Sequence, residues 1–139
     1  EDVEGVIAID GAADFLASLP PNRWAIVTSA PIDLARARLA AAGIPQPTIM
    51  VTAEDVSVGK PDPQGYLLGA ERIGASASEM LVFEDVQAGV AAGEAAGADV
   101  MVITATHQHV LATQHPTLLD YRQIAVKTTA DGRLTIVAR

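Results

Sequence analysis

Short apolar runs alternate along this chain with segments of helical period, and several of the apolar runs end abruptly on polar residues. Gly11 to Leu19 carries the apolar spacing of a helix and is closed by Pro20-Pro21. Arg23 to Val27 is a short run fit for a buried strand and ends at Thr28-Ser29. Pro31 suits the first turn of a helix, with Asp33 near its positive end, and that helix stops at Gly43. Thr48 to Val51 reads as the next strand, followed by a polar loop through Lys60-Pro61-Asp62-Pro63 and a helix from Gln64 to Ile73 with Gly74 after its end. Met80 to Phe83 is a fully apolar strand that runs straight into Glu84-Asp85. A small-residue helix from about Gln87 to Ala96, then Gly97 and the strand Asp99 to Ile103, complete the alternation. Ile124 to Lys127 and Leu134 to Val137, around Asp131-Gly132, read as a β-hairpin.

Strands that alternate with helices predict an α/β fold of Rossmann-like type, with a largely parallel sheet, helices on both faces and a C-terminal β-hairpin. With 139 residues, half of them apolar, the chain reads as one domain over 1–139 with a sizeable core. A net charge of −8 argues against nucleic acid or an anionic membrane as partner, because both reward basic surfaces. It leaves room for a small phosphorylated substrate, since one lysine in a cleft can outweigh the global field. No apolar run is long enough to span a bilayer, and the ends carry no targeting pattern. The absence of cysteine removes disulfides and thiolate metal sites and fits a reducing cytoplasm, the compartment expected here.

In such sheets the ligand lies at the carboxyl ends of the strands. Thr28 and Ser29 end one strand, Glu84 and Asp85 end another, and Lys60 sits in the loop after a third. Hydroxyls and backbone N–H groups can hold phosphate oxygens, and a lysine can neutralise charge on a phosphoryl group. Two adjacent carboxylates repel one another unless a cation sits nearby, and oxygen-only ligands favour a hard ion such as Mg²⁺. Each residue has a plainer reading as well. Thr28, Ser29 or Asp85 could cap the helix that follows, and Lys60 could be a solvated charge.

Ala25-Ile26-Val27-Thr28-Ser29-Ala30 resembles the second motif of the haloacid dehalogenase (HAD) superfamily, a strand ending in a phosphate-binding Thr or Ser. Val58-Gly59-Lys60-Pro61-Asp62-Pro63 resembles the third, and Leu81-Val82-Phe83-Glu84-Asp85-Val86-Gln87-Ala88-Gly89-Val90 the fourth. All three stand in the family's order, and their wording is similar to the sugar-phosphate phosphatases related to β-phosphoglucomutase. The resemblance implies a Mg²⁺-dependent phosphatase that acts on a small phosphorylated metabolite, a sugar phosphate, through an aspartyl-phosphate. Thr28 and Ser29 would bind the phosphoryl group, and Lys60 would pair with it and with the nucleophile. Asp85 would be the main protein ligand of the metal, with Glu84 assisting directly or through water.

One departure from the family pattern stands out. The first motif, Asp-x-Asp-Gly-Thr/Val, supplies the nucleophile and the general acid/base, and it should precede everything quoted above. Asp10-Gly11 does not replace it. Position 12 is alanine rather than a second carboxylate, and Gly11–Leu19 abuts Arg23–Val27 with no room for a helical cap. The pair matches instead the turn that enters the helix before the second motif. The resemblance therefore implies a missing central strand and a missing cap, both supplied by an N-terminal segment outside these residues, and a chain that is inactive by itself. A phosphomutase of the same fold and a non-catalytic binding module are the competing readings. A receiver-type signalling domain uses similar groups, but in the opposite chain order. His107 and His109 are expected to be loop residues rather than ligands, and Gly89, Gly93 and Gly97 to permit close packing of a helix on the sheet.

Overall fold

The computed structural model describes residues 11–104, 115–130 and 134–138. Its elements run α1 (Ala12–Ala17), β1 (Ile26–Val27), α2 (Ile32–Ala41), β2 (Met50–Val51), α3 (Gln64–Ile73), β3 (Leu81–Glu84), α4 (Gln87–Ala96), β4 (Asp99–Ile103), β5 (Thr117–Leu118), β6 (Ile124–Thr128) and β7 (Leu134–Ala138). The pairings β1–β2, β3–β4 and β4–β5 are all parallel, and β6–β7 is an antiparallel hairpin with Ile124 opposite Ala138. The helices α3 and α4 and the strand β4 carry the bounds expected from the sequence. His107, His109, Asp10 and the Asp131-Gly132 turn lie outside the described residues.

Alternation along the strands explains why helices cover both faces. Ile26 and Met50 pack with Ala35 and Leu39 of α2, whereas Val27 and Val51 point the other way, to Gly65 and Gly69 of α3. On the second sheet Val82, Val100 and Val102 pack on Val90 of α4. Phe83, Met101 and Ile103 face a separate cluster with Phe15 of α1, Leu118 and Ile124. There Phe15, Phe83 and Tyr121 meet pairwise at ring-centroid distances of 5.4–5.6 Å, with Phe15 edge-on to Phe83. The helices α3 and α4 share one face and touch each other.

Three expectations need correction. The strand read over Arg23–Val27 is only Ile26–Val27, because Pro20 and Pro21 start a 3₁₀ turn that takes up Arg23. The strand read over Thr48–Val51 is Met50–Val51, matched in length to its partner. Pro31 is the N-cap residue of α2 and not part of its first turn. One strand went unread: β5, two residues long, pairs Val102 with Thr117 and Ile103 with Leu118.

The parallel strands fall into two sheets, β1-β2 and β3-β4-β5. Among the described residues no strand pairs with the open edge of β1 or with that of β3. The two sheets are joined by the α3–α4 contact and by side chains described below.

Gly11, the residue before α1, fixes how that helix sits. Its φ is +82°, and a Cβ added there would lie 2.7 Å from the backbone nitrogen of Arg122 and 2.9 Å from the carbonyl carbon of Tyr121. Neither atom can turn away as a side chain would. Gly11→Ala is therefore expected to cost about 2 kcal/mol or more, from left-handed strain and the backbone clash together. Denaturant titration checks this, and an unchanged midpoint would show that α1 does not approach the Tyr121 turn this closely in solution.

Candidate active site

The loops that leave β1, β2 and β3 at their carboxyl ends converge. Thr28 and Ser29 follow β1. The Thr28 hydroxyl accepts from the Ala30 N–H at 3.1 Å, a local turn that leaves the helix start uncapped by this residue. The segment after β2 is built by Thr52, whose hydroxyl and N–H pair with Asp55 in a capping box on the turn Ala53–Asp55. Arg72 of α3 reaches back to this turn, bonding the Met50 carbonyl at 2.7 Å and Asp55 at 3.2 Å. The Arg72 bond, first, and the Thr52 N–H hold the Asp55 carboxyl down to about 2.

Further along, the side-chain Oε1 of Gln64 accepts from Ser57 N, Ser57 Oγ and Val58 N at 2.9–3.0 Å, which pins the loop leading to Lys60. Asp62 accepts from the Gln64 N–H at 2.9 Å and so starts α3. The Lys60-Pro61 peptide between them is cis.

Lys60 is not a solvated charge. Its side chain is 17% exposed, and its ammonium donates to the Val27 carbonyl at 3.2 Å and to Glu84 Oε2 at 2.9 Å. One ammonium thus ties the end of β1 to the end of β3, across the two sheets. The phenol of Tyr66 donates to the same Glu84 oxygen, and its ring lies 5.1 Å below the ammonium. Glu84 Oε1 accepts from the Asp85 N–H at 3.2 Å. Burial pushes the Glu84 carboxyl up, but the charge of Lys60 and the hydrogen bonds from Tyr66, Lys60 and Asp85 outweigh it and hold the group below its ordinary range. Burial first, then the charge of Glu84, raises the Tyr66 phenol well above its usual value, so it remains a donor.

Gly89 makes this possible. A Cβ at that position in α4 would lie 1.9 Å from Glu84 Cδ, so the carboxylate occupies the space that any larger residue would need. Gly93 lets α4 approach Val100, but Gly97 meets nothing and serves as the left-handed C-cap of the helix. Asp85 does not cap α4, since Val86 is the N-cap residue and no side chain bonds there.

The structure thus brings Thr28, Ser29 and Lys60 onto one cavity of about 210 Å³, walled by Val27, Val51, Val56 and Val58, and places Glu84-Asp85 beside its lysine. Glu84 is buried with both oxygens engaged, and Asp85 is half-buried. Among the described residues no cluster of three or more Asp, Glu, His or Cys side chains could complete a metal site. Sequence reasoning missed Tyr66 and Tyr121. Burial, then the charges of Asp85 and Glu84, raises the Tyr121 phenol above its ordinary value. A signal for Tyr66 existed: it stands six residues after Lys60, on the first turn of α3.

The profile of the haloacid dehalogenase-like hydrolases matches residues 2–97, and the chain belongs to that family. It is 46% identical over 106 residues to hexitol phosphatase A of Escherichia coli, covering 75% of this chain and 49% of that protein. It is 38% identical to glycerol-1-phosphate phosphohydrolase 2 of Saccharomyces cerevisiae, covering 76% of this chain and 44% of that one. A solved HAD family hydrolase from Deinococcus radiodurans, with bound phosphate and sodium, superposes with a TM-score of 0.65 at 30% identity, over 79% of this chain and 47% of that one. The chain spans about half the length of the curated relatives it matches.

Tyr66→Phe keeps the ring and removes the donor. It is expected to raise the Glu84 pKa toward the ordinary carboxylate value. Because that pKa is depressed in the folded state, the stability it contributes is present above the ordinary carboxylate range and lost as pH falls through the folded value. Acid unfolding of Tyr66→Phe should therefore begin at higher pH than in the wild type. Carboxyl ¹³C titration of Glu84 reads the shift directly, and identical titrations in the two proteins would show that the contact does not form in solution.

Proposed function

We propose that these residues form the phosphate-binding half of a phosphatase that hydrolyses a small phosphorylated metabolite, a sugar or polyol phosphate. The observation that carries the reading is the Lys60 ammonium, held between the Val27 carbonyl and Glu84 at the rim of the cavity that Thr28 and Ser29 share. Among the described residues two of its three N–H groups have protein partners, so the third can serve an anion. The names of the relatives, hexitol phosphatase A and glycerol-1-phosphate phosphohydrolase 2, support the same class.

In this reading Thr28, Ser29 and Lys60 bind the phosphoryl oxygens, and Lys60 withdraws charge from phosphorus as the bond to the leaving alcohol breaks. An aspartate from outside the described residues attacks phosphorus. The alkoxide leaves with a proton from a second carboxylate, and water then cleaves the acyl phosphate to phosphate and the free aspartate. The open edges of β1 and β3 support a strand between them as the source of that aspartate. Left unpaired, each buried backbone group there costs about 1–3 kcal/mol. Without that strand the same residues bind an anion and turn nothing over.

Asp85 is the residue of this chain suited to hold Mg²⁺, with Glu84 acting through water because its oxygens already serve Lys60, Tyr66 and Asp85 N. Two carboxylates are few for a protein cage but suit Mg²⁺, which keeps waters and takes phosphate oxygens. When bound, the ion would offset the charge that builds up on the transferred phosphoryl group.

The test is hydrolysis of a phosphate monoester by the protein with its upstream strand in place. Turnover should require Mg²⁺, and Lys60→Ala and Asp85→Ala should each lower kcat by about 10²–10³-fold. Residues 1–139 alone should be inert. Near-normal turnover in Lys60→Ala would refute the assignment.

A further inference from the structure

The loop from β1 to α2 can be accounted for donor by donor, and the result bears on which phosphate esters fit. The Thr28 N–H goes to the Val51 carbonyl at 2.9 Å, and the Ala30 N–H goes to the Thr28 hydroxyl. Pro31 has no N–H. The Ile32 N–H, the first of α2, is shared between both oxygens of Glu54 at 3.1 and 3.2 Å. Among the described residues the Ser29 N–H donates to nothing, so it is the one backbone donor left in this loop.

Glu54 is not there by chance of rotamer. The Thr52 hydroxyl donates to its Oε1 at 2.8 Å, and the Ala53 N–H bonds the Ala30 carbonyl at 3.0 Å, so the turn carrying Glu54 is fastened to the loop it serves. These bonds, the Thr52 hydroxyl foremost, lower the Glu54 carboxyl below its ordinary value and keep it charged. Its neighbour Ala53 lines the same cavity as Thr28, Ser29 and Lys60. Asp33 adds a second carboxylate in the first turn of α2. The first N–H of the helix next to this loop is thereby taken, and two carboxylates stand at the helix's positive end.

We infer that Glu54 is a specificity-determining residue, an internal anion that limits the site to esters carrying a single phosphoryl group and an uncharged remainder. The inference rests on the phosphatase reading. One phosphoryl group has Ser29 N–H, the two hydroxyls and Lys60 to meet it. A second phosphate or a carboxylate on the same substrate, lying toward α2, finds the Ile32 N–H already taken and the negative charge of Glu54 within a Debye length.

The experiment compares kcat/KM for a polyol monophosphate and for the corresponding bisphosphate, in the wild type and in Glu54→Gln. The amide keeps an acceptor for Ile32 and Thr52 but removes the charge. The wild type should prefer the monophosphate, and Glu54→Gln should narrow that preference by about five- to tenfold, the effect of one nearby charge. A purely structural role would lower both substrates alike and leave their ratio unchanged, which would overturn the inference. Should Glu54→Gln fold poorly, the wild type itself gives the answer. Rising ionic strength should narrow the preference by screening an exposed charge, and a salt-independent ratio would count against Glu54. The comparison uses the protein with its upstream strand in place, and if neither ester is hydrolysed there, the phosphatase reading fails separately. Calorimetric binding of inorganic phosphate and pyrophosphate then decides: a gain for pyrophosphate alone in Glu54→Gln supports the charge filter, and equal changes refute it.

Discussion

One ammonium group holds the two halves of this site in register. β1 and β3 belong to separate sheets, yet the Lys60 ammonium bonds the last carbonyl of one and the last side chain of the other. A charge so little exposed is costly unless it is paired and hydrogen-bonded, and here Glu84 supplies the pair while Val27 and the Tyr66 ring supply the remaining polar and polarisable contacts. Removing either partner would strand the other in a buried setting, a loss of about 3–5 kcal/mol. The arrangement therefore couples the positions of Thr28, Lys60 and Asp85, three residues far apart in sequence, to a single contact.

Small residues give that contact its space. Gly65 and Gly69 of α3 lie where a Cβ would come within 3.0–3.1 Å of the Val27 methyl groups, so the helix sits against the strand that ends in the phosphate loop. Gly89 does the same for Glu84 in α4. Glycine inside a helix costs about 1 kcal/mol relative to alanine, and in these positions close approach of the helix to β1 or to the carboxylate offsets it. The high glycine and alanine content of α3 and α4 is thus tied to the site as much as to the core.

Much of this was legible in the sequence because it rests on local rules. The helices Gln64–Ile73 and Gln87–Ala96 end at Gly74 and Gly97, both in the left-handed conformation, and the apolar run before Glu84 is a strand as its pattern demands. What stayed hidden depends on tertiary contacts. β5 has only two residues, Thr117 and Leu118, and its pairing with β4 exists through register rather than through any pattern of its own. Tyr66 stands six residues after Lys60, but only the fold turns its hydroxyl toward Glu84. Glu54 reads as surface charge, and only the loop closure through Ala53 brings it to the start of α2. The acidic pair was legible as a unit, but the inward turn of Glu84 to the lysine, with Asp85 left half-buried, was not.

The charge balance of the whole chain follows from the same geometry. A net charge of −8 sets a field that repels anions at a distance, so on the proposed reading a phosphate ester must be drawn in by something local. Lys60 is that source, but its charge is largely matched by Glu84 until a ligand arrives, and nearby Glu54 adds a further negative charge. Such a site gains little from long-range steering. It must instead gain from short, directed hydrogen bonds made at contact, from Ser29 N–H, the two hydroxyls and the third N–H of Lys60. On the proposed reading such a site discriminates both by the directed fit of one phosphoryl group and by the Glu54 charge beside it, which together favour neutral polyol esters over highly charged ones.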